Sequence, residues 1–105
     1  SPNAKRVLYA YEPRWAIGAA AAAPPAYVAE RHRAIRAILA DRFDAAAAAE
    51  ARVLYGGSVN AANGPELAAL DDVDGLFVGR AAWTSEGFKA IAEIVEAAAK
   101  RKEKP

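Results

Sequence analysis

The residues best placed to do chemistry form one block, Tyr11-Glu12-Pro13-Arg14-Trp15-Ala16-Ile17-Gly18. The run ahead of it, Val7-Leu8-Tyr9-Ala10-Tyr11, is apolar, aromatic and unbroken, which predicts a strand buried on both faces of a parallel sheet. Glu12 then stands at that strand's carboxyl end. Packing explains a carboxylate there poorly, because burying an unpaired charge costs on the order of several kcal/mol. Strand ends of α/β proteins are where catalytic groups collect, which is the commoner explanation of a carboxylate there. The plainer alternative is a structural carboxylate paired with an arginine, and residue types alone leave both open.

Two glycine-bearing stretches lie downstream, Tyr55-Gly56-Gly57-Ser58-Val59 and Asp74-Gly75-Leu76-Phe77-Val78-Gly79-Arg80. Glycine lets the main chain approach an anion closely, and converging N–H dipoles bind it without a lysine. Gly56-Gly57 on its own fits a tight turn as well. The segment from Pro13 to Pro25 is longer than the ~2–6 residues that usually join a strand to a helix. It reads as a lid, stiffened at one end by Pro13 and at the other by Pro24-Pro25, with Gly18 permitting unusual backbone angles.

Taken in order, these three blocks resemble the carboxy-terminal part of the triosephosphate isomerase family. The resemblance implies an α/β fold, the C-terminal three strand–helix units of a TIM (β/α)8 barrel, with parallel strands and outer helices. Such a barrel needs ~250 residues, so the 105 residues are expected to be a piece that is inactive alone. It implies an aldose–ketose isomerase that moves a proton between adjacent carbons of a small phosphorylated sugar, with no cofactor and no metal. Glu12 corresponds to the base. Gly18, Ser58, Gly79 and Arg80 correspond to places that present backbone N–H groups to the substrate phosphate. Tyr55 and Ser58 resemble a latch whose hydroxyls hold the closed lid, beside Gly56 and Gly57, while Pro13 and Trp15 belong to the lid's near hinge. Trp15 is expected to anchor that hinge in a pocket. The family's neutral histidine and its lysine come from the earlier half, as does most of its dimer interface, so a homodimer formed through that half is the expected assembly.

Two departures bear on substrate. Ala19 to Pro25 replaces a polar glycine- and threonine-bearing stretch, so fewer side-chain hydrogen bonds are expected to order the lid. Arg80 stands where a second glycine is usual. An alanine-proline lid with a Gly-Arg exit looks more like the tetrulose-phosphate branch, which acts on erythrulose phosphates. From another class, a non-catalytic phosphate-binding barrel fragment also fits the altered lid, and a small helix-rich structural domain leaves the ordered strand exits unexplained.

The elements that must position these residues follow from periodicity. Strands are expected over about 5–11, 52–55 and 76–78, and helices over about 26–43, 61–70 and 85–100. In the first helix Val28, Ile35, Ile38, Leu39 and Phe43 form the apolar stripe, with Arg31, Arg33, Arg36 and Asp41 between them. His32 falls on the packing stripe and reads as structural. Asp44 to Glu50, almost all alanine, is either a helix extension or a loose link. Phe88, Ile91, Val95 and Ala98 form the last helix's stripe, and Lys100 to Lys104 complement its dipole.

Composition excludes several classes. Lys plus Arg number 14 against 13 Asp plus Glu, and a net charge of +1 gives no field for nucleic acid or an anionic membrane. Cysteine is absent, which removes disulfides and thiol catalysis. The most apolar stretch, Trp15 to Pro25, falls short of the ~20 residues that span a bilayer. No signal-peptide pattern opens the sequence, and the cytoplasm is the expected compartment.

Overall fold

A computed structural model describes residues 6–16 and 22–103. Three parallel strands, β1 (Leu8–Tyr11), β2 (Arg52–Gly56) and β3 (Gly75–Phe77), form one sheet in that spatial order. The register pairs Tyr11 with Tyr55 and Gly56 with Phe77, so all three strands point their carboxyl ends the same way. Helices α1 (Pro25–Arg42), α2 (Ala45–Glu50), α3 (Gly64–Ala68) and α4 (Ser85–Lys102) complete the chain. Parallel strands joined through helices are the arrangement expected of barrel units.

Strand alternation divides the side chains into two sets. Tyr9, Tyr11, Val53, Tyr55 and Leu76 face the helices, where Val28, Leu67, Val73 and Ile91 close one cluster and Leu39, Ala48 and Ala51 a second. Leu8, Ala10, Arg52, Leu54 and Phe77 point to the opposite face, where Leu8 is 61% and Phe77 52% exposed. The expectation that β1 is buried on both faces therefore fails. β1 is an outer strand here, and the layer that would cover Leu8 and Ala10 belongs to the rest of a closed barrel.

Helix starts follow local chemistry. Pro25 opens α1 at a position that needs no N–H donor. Asp44 caps α2 by accepting from the Ala47 amide at 2.7 Å, which makes the alanine run a separate short helix. α3 is shorter than expected, because the Asn60 side chain accepts from the Ala62 and Asn63 amides and holds a turn before Gly64. Thr84 caps α4 through the Gly87 amide.

Three expectations about helix faces are corrected. Ile38 and Phe43 are 59% and 48% exposed, because α1 meets the sheet and α2 through Val28, Ile35 and Leu39. Phe88 is 64% exposed in the first turn of α4, ahead of the Ile91, Ile94 and Val95 stretch that meets the core. Arg36 turns inward rather than to solvent. Its guanidinium donates to the carbonyls of Ala48, Ala51 and Asp72 at 2.8, 2.9 and 3.0 Å, and pairs with the carboxylates of Asp72 and Asp74. At the other end, the Lys102 ammonium leaves its helix to donate to the carbonyls of Ala68, Leu70 and Val73, and burial holds its pKa down.

Candidate active site

Glu12 follows Tyr11 directly, so the parallel register brings it level with Gly56 on the neighbouring strand. A methyl group built on Gly56 would lie 2.9 Å from Glu12 Cγ, 3.1 Å from Glu12 Oε2 and 3.2 Å from Phe77 Cβ. The carboxylate thus crosses the glycine of β2 and comes beside the side chain of β3. Two residues beyond the Gly56–Phe77 pair stand Ser58 on one exit and Gly79 on the other. The acid and both glycine turns share one end of the sheet, which joins the residues that the sequence could only place in series.

Glu12 is exposed, which departs from the dry surroundings expected of a base. The uncovered inner face explains the difference, since this sheet alone cannot exclude water there. No arginine pairs with Glu12 among the described residues.

The turn after β2 is built for close approach. Gly57 has φ +141° and Ser58 has φ +55°, two successive positive angles that bend the chain at the strand exit. A side chain on Gly57 would meet the Tyr55 hydroxyl at 2.7 Å and Ala16 Cβ at 3.0 Å. At the other exit, the space around Gly79 is open. Arg80 begins a short 3-10 turn, Arg80–Ala82, and its guanidinium lies over the Trp83 ring at 5.9 Å from the centroid. Gly18 lies outside the described residues.

The hydroxyls of Ser58 and Tyr55 hold main-chain atoms at the two described ends of the Pro13–Pro25 segment. Ser58 Oγ donates to the Ala16 carbonyl at 2.8 Å. The Tyr55 hydroxyl accepts from the Ala23 amide at 3.0 Å and donates to the Gly57 carbonyl at 3.2 Å. Tyr55 is fully buried, and burial pushes its pKa up, which keeps the donating proton in place. Because the Pro13–Pro25 segment contributes only backbone atoms, Ala16 O and Ala23 N, to these bonds, the side chains at those positions do not decide them.

Trp15 is placed differently from expectation. It is 56% exposed and lies edge-to-face on Tyr27 of α1, 5.5 Å between centroids. Pro13 is buried, and its carbonyl accepts from the Ala16 amide at 2.9 Å to close the 3-10 turn Arg14–Ala16. Tyr11 donates to the Tyr27 hydroxyl, and burial together with that bond takes the Tyr11 pKa up to about 12. Sequence reasoning did not assign Tyr27 a place beside the lid; an aromatic in the first turn of the helix that receives the lid was the available signal.

The family model for triosephosphate isomerase matches residues 1–95. The chain belongs to the triosephosphate isomerase family. Its fold is accordingly a portion of that family's α/β barrel. A triosephosphate isomerase of Ectopseudomonas mendocina is 50% identical over 84 residues, which are 80% of this chain and 33% of the relative. One from Debaryomyces hansenii is 48% identical over 81 residues, 77% of this chain and 33% of the relative. A chloroplastic form from Secale cereale is 45% identical over 89 residues, 85% of this chain and 30% of the relative. The chain thus spans about a third of the length of the curated relatives it matches. No helix among the described residues is long and apolar enough to cross a membrane, and no cluster of metal-ligating side chains occurs among them.

Proposed function

We propose that this chain, within a complete barrel, supplies the base and the phosphate-facing strand exits of an isomerase that interconverts glyceraldehyde 3-phosphate and dihydroxyacetone phosphate. The carrying observation is the Glu12 side chain lying across Gly56 at the end of the sheet where Ser58 and Gly79 also emerge. Held there, a carboxylate takes a proton from one carbon and returns it to the next, while main-chain amides at Gly18, Ser58, Gly79 and Arg80 grip the phosphate. The reaction needs no metal or cofactor in this scheme. The triose is favoured over erythrulose phosphates because the relatives named above are triosephosphate isomerases. A homodimer formed through the barrel's earlier half is the proposed assembly. The cytoplasm is the proposed compartment, with the plastid as alternative given the chloroplastic relative.

The test is turnover of the full-length polypeptide on glyceraldehyde 3-phosphate beside erythrulose phosphates, in the parent and in Glu12→Gln. Loss of a positioned base is worth about 10²–10⁴-fold, so kcat is expected to fall by that factor while the fold persists. A Glu12→Gln enzyme turning over at the parent's rate removes Glu12 from the mechanism. Faster turnover of an erythrulose phosphate than of the triose reassigns the substrate.

A further inference from the structure

His32 is fully buried in α1, yet nothing in the reaction above uses it. Its Nδ1 lies 3.2 Å from the Asp72 carbonyl, and a carbonyl only accepts, so Nδ1 carries the proton. Nε2 is then a bare lone pair, buried and without a partner among the described residues. The ring stands between two tyrosines, 5.9 Å edge-on to Tyr11 and 6.2 Å from Tyr55.

Those tyrosines lead to opposite ends of one segment. Tyr11 donates to Tyr27, against which Trp15 packs, just past β1. Tyr55 accepts from the Ala23 amide, just ahead of α1. A continuous row of side chains, with His32 at its centre, therefore connects Trp15 to Ala23. We infer that His32 is a positioning residue that ties these two ends together and frees the Ala23 end in mild acid.

The physical reason is the second ring proton. Protonating Nε2 places an N–H with no acceptor, and a full charge, between two aromatic rings. Of the charged groups that face the ring, Arg36 on the same helix opposes the charge, while the carboxylates of Asp72 and Asp74, beyond the carbonyl side, favour it; the tyrosines of β1 and β2 are neutral. Burial is the largest influence and holds the imidazole below its ordinary value. The ring accepts its second proton readily only when the Tyr11–Tyr55 gap opens, and opening that gap draws the Tyr55 hydroxyl away from Ala23.

Hydrogen exchange of the Ala23 amide in the full-length polypeptide reads this directly, and it does not depend on the isomerase reading above. An open form with an ordinary histidine pKa of ~6.5 gains up to about tenfold for each pH unit below that value. Between pH 7.5 and 5.5, after correction for intrinsic exchange, Ala23 protection is expected to fall by up to about tenfold. The Val53 amide of β2, which donates to the Asp74 carboxylate at 2.9 Å, is expected to hold its protection. In His32→Gln, which keeps a donor for the Asp72 carbonyl and does not titrate, the Ala23 change is expected to shrink below about twofold. Tyr55→Phe, with His32 intact, is expected to abolish Ala23 protection at both pH values. Equal acid loss at Ala23 and Val53 in the unaltered protein overturns the inference, because His32 then reports only unfolding. So does an unchanged Ala23 response in His32→Gln, or full Ala23 protection in Tyr55→Phe.

Discussion

Replacing Gly56 by alanine moves the proposed base without touching it. Gly56 lies outside the positive-φ region, so its backbone accepts a side chain, and only space is at issue. The added methyl would stand 2.9 Å from Glu12 Cγ, 3.1 Å from Glu12 Oε2 and 3.2 Å from Phe77 Cβ. Carbon atoms rest at about 3.5–4.0 Å, so the Glu12 side chain must retreat by about 0.6–1.1 Å. Phe77 narrows the other direction of escape.

A misplacement of about 1 Å in a reacting group costs about 10²-fold in rate. Gly56→Ala in the full-length polypeptide is therefore expected to lower kcat about 100-fold, with the larger share in kcat rather than KM. Stability is expected to change little, because Glu12 is exposed and its retreat leaves no cavity. Initial rates of triose phosphate isomerisation beside a urea denaturation curve separate the two effects. A Gly56→Ala enzyme with parental kcat refutes the reasoning, since it means that the carboxylate does not work from the position where it crosses β2. A midpoint shifted as much as the rate refutes it differently, by making the loss one of folding.

Two stability predictions follow. Arg36→Leu leaves the carbonyls of Ala48, Ala51 and Asp72 and the carboxylates of Asp72 and Asp74 without their shared donor, so urea unfolding is expected to show a loss of about 3 kcal/mol. A loss below about 1 kcal/mol would mean that solvent already serves those groups. Asp44→Ala removes the cap from α2, a helix whose own side chains contribute almost no packing beyond Ala47 and Ala48, and is expected to cost about 1 kcal/mol with a matching drop in amide protection at Ala47.

The sequence was most legible where one residue type answers one geometric demand. Paired glycines after an apolar run marked the exit of β2, and the structure uses one of them for a positive φ and the other for the space that Glu12 occupies. Pro25 and Thr84 stand at the starts of α1 and α4 for a similar reason, the one needing no N–H donor and the other offering an acceptor to the Gly87 amide. Legibility fell where a side chain answers groups distant in sequence. Arg36 sits among other arginines on a helix with alternating charge, and nothing in its neighbourhood separates it from Arg33; only the fold brings the α2 end and the Asp72–Asp74 turn to it. Lys102 was one of several basic residues at a helix end until the last residue of α3 and the turn after it supplied three carbonyls.

The errors about burial share a cause that bears on how the site works. Leu8 was expected to be covered because its strand reads as an unbroken apolar run, yet Leu8, Phe77 and Glu12 are all exposed on the open face of this sheet. Closing a site around a reacting group excludes water and strengthens the electrostatics inside it, so the proposed proton-transfer role demands that the surroundings of Glu12 change before reaction. Phe77 already stands beside it as an apolar wall, and the segment whose ends are held by Ser58 and Tyr55 leaves from the residue after it. What remains to be supplied is a cover over the inner face, and that cover must come from strands that pair with the free edges of β1 and β3. In the proposed mechanism the site is therefore completed by the assembled barrel rather than by the units that carry Glu12.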